Sequence, residues 1–218
     1  MSRTRVDMVV FDWGGVILRH CRSFPEACAR AGLPVRGDVD AEASRARRRP
    51  IAAAYQRGQI STRAFYDALR DALDGTYTTD ELRAIHHAWL IDEYEGVGEV
   101  IGAIHARGVA TALLSNTNAC HWARHLAKAC GGGPDYPTAA MLTHRHASHL
   151  LGHAKPDADI YHAFVREVGV GPGSLLFFDD LDDNINTARA LGWQAQRIDH
   201  TGDTASQMRA HLRAHGVL

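Results

Sequence analysis

The amino-acid sequence predicts an α/β protein: a doubly wound parallel sheet interrupted by a small α-helical insertion. Three observations carry that prediction. Short apolar runs recur at residues 6–11, 109–114 and 175–178, and each ends in a polar residue, namely Asp12, Ser115 and Asp179. Helix-period segments alternate with these runs, the rhythm of a parallel sheet joined by crossovers. Between the first two runs the chain stays helical as far as Gly96.

The first run opens the stretch Val10-Phe11-Asp12-Trp13-Gly14-Gly15-Val16-Ile17-Leu18, read as a buried strand ending in a carboxylate and a tight glycine loop. Open α/β sheets bind ligands beyond the carboxyl ends of their strands, and glycines let backbone N–H groups approach an anion closely. Asp12 is therefore a candidate active-site residue, although a β-turn whose Asp caps a following helix reads the same way. Helices are then expected over 24–31, stopped by Gly32 and Pro34; over 41–55, kinked at Pro50 and stopped by Gly58; over 61–73, stopped by Gly75; and over 79–92. Ser61 and Thr79 offer N-cap chemistry. Phe65, Leu69 and Leu73 share one apolar face, and Leu82, Ile85 and Trp89 another. A bundle inserted directly after the candidate strand is placed to lie over the site as a water-excluding cap, or serves as a structural subdomain only. The expected division is a core of residues 1–19 and 96–218 and a cap of residues 20–95.

A helix over 97–106 leads into the second run, which ends in Ser115-Asn116-Thr117-Asn118. A strand-end hydroxyl can bond a phosphate oxygen beside the next helix's dipole, or simply cap that helix. A weak strand near 139–142 precedes the loop Gly152-His153-Ala154-Lys155-Pro156-Asp157 and a helix over 158–168. Lysine before proline is biased toward extended backbone, so its ammonium can point into a site. The third run ends in Asp179-Asp180-Leu181-Asp182-Asp183-Asn184. Acids this dense repel one another unless a cation is bound, and hard oxygen ligands at a strand end suit Mg²⁺; an acidic surface turn is the alternative. A helix over 186–191, a strand over 194–198 and a helix over 204–215 complete the chain.

Composition narrows the function classes. The chain has 218 residues, 45% hydrophobic and 22% charged, enough for a well-formed core. A net charge of -1 gives no basic field for nucleic acid, and the one dense basic run, Arg45, Arg47, Arg48 and Arg49, reads as a solvated helix face. Cys21, Cys28, Cys120 and Cys130 are sparse and show no C-x-x-C spacing, which suggests reduced thiols. Without a signal-type segment or an apolar run of membrane-spanning length, the expectation is a cytoplasmic protein, monomeric or homodimeric, with no membrane partner. Among 14 histidines, His144, His146, His149 and His153 are spaced too irregularly for a metal site and read as solvated or core-packed.

The order of these signals is specific: strand-end Asp, helical insertion, strand-end Ser, loop Lys-Pro, strand-end Asp-Asp. In this order the chain resembles the haloacid dehalogenase superfamily of aspartate-nucleophile hydrolases, and its motifs span Asp12 to Asn184. The wording Phe11-Asp12-Trp13-Gly14-Gly15-Val16, Leu114-Ser115-Asn116-Thr117-Asn118, Lys155-Pro156 and Phe178-Asp179-Asp180 looks most like small-capped bacterial sugar-phosphate phosphatases, including the α-D-glucose-1-phosphate type.

The resemblance implies a Rossmann-like core and a hydrolase acting on a small phosphorylated metabolite such as a sugar 1-phosphate. Asp12 would be the nucleophile, forming an aspartyl-phosphate that water hydrolyses. Mg²⁺ would be held by Asp12, Asp180 and the Gly14 carbonyl, with Asp179 and Asn184 shaping its outer shell. Ser115 and Lys155 would neutralise phosphoryl oxygens, with Gly15, Asn116 and His20 on the substrate side. One departure stands out: most phosphatases of this superfamily carry a second Asp two residues after the nucleophile, and here that position is Gly14. Proton transfer of that kind contributes ~10²–10⁴-fold. Three outcomes stay open: a leaving group needing little protonation, an acid borrowed from His20 or Asp183, or a weakly active or non-catalytic binding protein. A 2-haloacid dehalogenase is a further alternative, although that branch looks metal-free and lacks a pair like Asp179-Asp180.

Overall fold

The computed structural model describes residues 5–128 and 132–218, so Cys130 and the first four residues lie outside it. Five parallel strands form the sheet, in the order β5-β4-β1-β6-β7. They are β1 (Met8–Phe11), β4 (Ala110–Ser115), β5 (His144–Ala147), β6 (Leu175–Asp179) and β7 (Gln194–Arg197). The pleat explains why the central strands are apolar throughout. Successive side chains point to opposite faces, and each face is covered by helices. Met8, Val10, Ala112, Leu114, Leu175 and Phe177 bury one face against Ile160, Tyr161 and Phe164 of α9 (Ala158–Val168) and Ile185 and Ala188 of α10 (Asp182–Ala190). Val9, Phe11, Leu113, Leu176 and Phe178 bury the other against α5 (Val97–Ala106) and α11 (Thr204–Ala214). The doubly wound parallel sheet is thus present.

Four helices intervene between β1 and α5: α1 (Phe24–Arg30), α2 (Glu42–Gln56), α3 (Thr62–Ala72) and α4 (Thr79–Ala88). Their starts follow local chemistry. Ser23 and Ser61 cap α1 and α3, and Thr78 with Glu81 forms a reciprocal capping box at α4. The helices share a separate apolar cluster in which Phe24, Tyr55, Phe65, Leu69, Tyr77, Leu82 and Ile85 are buried. Helix α2 runs through Pro50 without interruption.

Several sequence-based expectations are corrected. Helix α4 ends at Ala88, not at 92, and Leu90–Glu93 forms β3, antiparallel to β2 (Leu18–His20). That two-stranded ribbon lies where the helical insertion leaves and rejoins the core, and its pairing partner is some 70 residues away in sequence. The strand expected near 139–142 is helix α7 (Pro137–Ala140), started by proline at its first turn; the strand is β5, at an edge. His144, Arg145 and His146 are at least partly exposed, so β5 lacks the apolar run that marks a central strand. Helix α10 begins at Asp182 rather than 186, and its first-turn acids complement the helix dipole. Of the arginine run, Arg48 is partly buried and lies 4.8 Å over Phe24, while Arg45, Arg47 and Arg49 are exposed. No described helix is long and apolar enough to cross a membrane.

Candidate active site

Strand register brings the predicted residues together. Phe11 pairs with Leu113 on one side and Phe178 on the other, so Asp12, Ser115 and the Asp179-Asp180 pair emerge side by side at the carboxyl edge. Asp12, Ser115 and Asp180 line a cavity of about 430 Å³ between the sheet and the four inserted helices.

Asp12 is held by its Oδ1 atom. That oxygen accepts from the Trp13 backbone N–H at 2.7 Å and lies 3.0 Å from Lys155 Nζ. Both contacts fall on Oδ1 rather than Oδ2. The Lys155 side chain is fully buried and also donates to Asp179 Oδ2 at 2.7 Å. Burial alone pulls its pKa down, but Asp12 and Asp179 outweigh burial and hold it above the usual lysine value. Burial pushes Asp12 up to about 7; Lys155 opposes the rise, and Asp179 and Asp180 add to it.

Asp179 has a positioning role. Its carboxylate accepts from Asn184 Nδ2 at 2.9 and 3.0 Å and from the Leu181 N–H at 2.9 Å as well as from Lys155. Asn116, expected to reach a phosphoryl oxygen, has its amide bonded at both ends to the Lys155 backbone: Nδ2 donates to the carbonyl at 2.7 Å and Oδ1 accepts from the N–H at 2.8 Å. Asn116 thus ties the lysine loop to the end of β4. Ser148 does the same for Thr117, donating to its carbonyl at 2.9 Å and accepting from its N–H at 3.0 Å. Nothing in the sequence pattern marked Ser148.

The two glycines answer different demands. Gly15 sits at φ +79°, and a Cβ there would lie 2.4 Å from the Asp180 carboxylate, so glycine is what lets Asp180 approach the loop. Gly14 is not in the left-handed region, but a Cβ on it would meet His20 Cδ2 at 2.7 Å. The His20 ring fills the space that a side chain at position 14 would enter. Its Nδ1 lies 2.9 Å from the Cys21 carbonyl, an acceptor, so in the neutral ring Nδ1 carries the proton and Nε2 is the free acceptor. Burial first, then Arg22, holds His20 below the usual histidine value. Asp183 is exposed on α10, and the cavity on that side is lined by Asp180, Leu181 and Asn184. Sequence reasoning missed Arg22, whose Nη1 donates to Asp180 Oδ2 at 3.0 Å from the loop after β2.

Asp12, Asp179 and Asp180 each offer an oxygen within 4.8 Å of the others, and no other group of this kind occurs among the described residues, histidines included. Three buried carboxylates against one buried lysine and a half-exposed Arg22 leave a deficit of positive charge that fits a divalent cation. Because Asp179 is already saturated with donors, Asp12 and Asp180 are the carboxylates available to bind one directly.

A family model for haloacid dehalogenase-like hydrolases matches residues 6–192. The chain belongs to that family. Phosphatase MT3486 of Mycobacterium tuberculosis is 28% identical over 144 residues, 66% of this chain and 64% of that protein. The D-ribitol-5-phosphate phosphatase of Bacteroides thetaiotaomicron is 27% identical over 215 residues, covering 94% of this chain and 98% of that one. Among solved structures, a HAD-family enzyme of Bacteroides thetaiotaomicron superposes with a TM-score of 0.75 at 19% identity over 94% of this chain and 99% of that one. Its complex with magnesium and inorganic phosphate superposes at 0.70 with 20% identity over 94% and 100%. At such identities the structural likeness shows the fold.

Proposed function

We propose that this chain is a Mg²⁺-dependent phosphomonoester hydrolase working through an aspartyl-phosphate on Asp12. The observation that carries the proposal is the anchoring of Asp12 by one oxygen to Lys155 and the Trp13 N–H, with Asp180 and Ser115 beside it on the same cavity. Asp12 Oδ2 attacks phosphorus and the alcohol departs; water then opens the mixed anhydride, releasing phosphate and regenerating the carboxylate. Lys155 and Ser115 stabilise the phosphoryl oxygens. Asp12, Asp180 and the Gly14 carbonyl would hold Mg²⁺, which when bound would supply charge to offset repulsion between carboxylates and phosphate. His20 is the group nearest the place of the family's second aspartate, and its Nε2 is the site we assign for moving a proton to or from the leaving oxygen.

Residues 20–95 act in this reading as the cap over the site. Support comes from the relatives named as phosphatases and from the similar fold solved with magnesium and phosphate. The name of the ribitol-phosphate relative supports a small phosphorylated metabolite as substrate.

Rapid quench with ³²P-labelled substrate tests the proposal. Radiolabel should appear on the protein in the presence of Mg²⁺ and be absent from Asp12→Asn. Turnover with no protein-bound label, or label that persists in the variant, would refute the covalent route.

A further inference from the structure

The cap side of the cavity is built differently from the sheet side. Phe24, Phe65, Leu69, Leu82, Ile85 and Trp89 face the space. Apart from Gln56, the polar groups on this wall are turned on one another or on the segment that follows β4. His86 Nδ1 lies 2.9 Å from the Tyr66 hydroxyl and His86 Nε2 lies 3.3 Å from Asn118 Nδ2. His121 Nε2 lies 2.8 Å from the His86 carbonyl, and the two imidazoles stack at 4.0 Å. The Tyr55 hydroxyl bonds Thr62 Oγ1 at 2.9 Å and donates to Cys120 Sγ at 3.1 Å. Arg48 spends its guanidinium on the Ser44 and Val39 carbonyls and covers the Phe24 ring.

A polyol carried into this space would lose water and find its hydroxyls facing mostly rings and methyl groups, with Gln56 of α2 the one polar side chain of the inserted helices left to pair them, so most buried hydroxyls would go unpaired. An apolar body gains from the same surface. We infer that the alcohol portion of the substrate is apolar, an aromatic ring on or next to the ester carbon fitting best, rather than a polyol. This rests on the phosphomonoesterase reading and sharpens it. The phosphate end is defined by Asp12, Lys155 and Ser115, whereas Phe65 and Trp89 make the leaving-group end a place for a ring.

The test compares esters of similar leaving-group acidity on the full chain with Mg²⁺: benzyl and 2-phenylethyl phosphate against glycerol 3-phosphate and ribitol 5-phosphate. The expected result is a kcat/KM at least tenfold higher for the aryl-alkyl pair, carried chiefly by KM. Trp89→Gln, with its circular dichroism unchanged, should narrow that ratio. Benzylphosphonate, which is not hydrolysed, should bind at least tenfold more tightly than methylphosphonate by calorimetry. Equal binding of the two phosphonates overturns the apolar inference whatever the turnover. Preference for the polyol esters overturns it too, while leaving the phosphatase reading standing. Tight benzylphosphonate binding without turnover of any ester supports the apolar site and refutes the phosphatase reading.

Discussion

The two walls of the cavity solve opposite problems. The sheet wall gathers Asp12, Asp179, Asp180 and Lys155 in the interior, and its Asp12 is forced away from its ordinary ionisation. On the wall of inserted helices, His86, Tyr55, Tyr66 and Arg48 are satisfied by protein partners, and that wall shows the cavity mainly apolar faces. Buried like charges persist only where the surrounding structure holds them, and here a central parallel sheet does so. Under the proposed function, the sheet wall would hold the reactive groups and the wall of inserted helices would select what reacts. Variants in the first should change rate, and variants in the second should change choice of substrate.

The largest expected effect is Asp12→Asn, which should lower turnover by about 10³-fold or more, about 4 kcal/mol of transition-state stabilisation. Turnover within about tenfold of the parent, ~1.4 kcal/mol, would sink Asp12 as nucleophile. The same change should raise stability without Mg²⁺. Asp12 has a folded-state pKa raised from 3.8 to about 7, so the folded protein loses stability as pH rises between those values, and the deficit is complete above 7. At pH 8 the variant should melt higher than the parent, and below pH 4 the two should coincide. A variant that melts lower at pH 8 would break the claim that this wall is strained.

Next, Lys155→Met should cost both activity and fold. It leaves Asp12 and Asp179 without their shared cation, and breaking a buried pair costs about 3–5 kcal/mol. Denaturant unfolding of the two proteins at pH 8 reads the difference. Asp180→Ala should lower activity by roughly 10²-fold, within the range a metal-supporting group contributes, and activity should vanish in excess chelator. Full activity with chelator present would instead favour a dehalogenase-like chemistry.

A smaller effect separates the two proton-transfer ideas. If the missing acid limits the rate, Gly14→Asp should improve primary-alcohol phosphates, but a side chain at 14 enters the space of the His20 ring. The expected outcome is a loss for every ester, with His20→Gln lowering the same rates by no more than the ~10²-fold at the low end of acid–base contributions. A gain from Gly14→Asp would show that His20 gives way and that the missing acid limits the parent.

The smallest effect lies in the inserted helices. Arg36 donates to Glu81 at 2.7 Å and, with the Thr78 cap, holds that carboxyl at about 2. A depressed folded pKa gives stability that is complete above about 4.5 and is lost as pH falls toward 2. Arg36→Met should flatten the acid dependence of melting in that window and leave kcat at neutral pH unchanged. A changed kcat would mean that the two walls are not as independent as their packing implies.

Asp12, Ser115 and the Asp179-Asp180 pair were legible because a strand buried on both faces must be an uninterrupted apolar run, and the first polar residues after it mark the sheet edge where ligands bind, whereas Lys155 was legible from the proline that follows it. β5 and the β2–β3 ribbon were not, because a half-exposed edge strand has no such run and a four-residue ribbon is defined by a distant partner. The helical face shared by Leu82, Ile85 and Trp89 hid the end of α4 for the same reason: local periodicity continues where backbone pairing has already taken over.

By itself, then, the order of apolar runs, caps and breakers determined a parallel α/β core with a helical insertion, and it named the residues at the strand ends, since each of those signals is local. Only the tertiary structure decided that Asn116 clamps the lysine loop, that Asp179 positions Lys155, that Arg22 reaches Asp180, and that His20 occupies the space beside Gly14. Those are contacts between side chains far apart in sequence. Their geometry is set by strand register and by how the inserted helices settle over the sheet, which no run of neighbouring residues encodes.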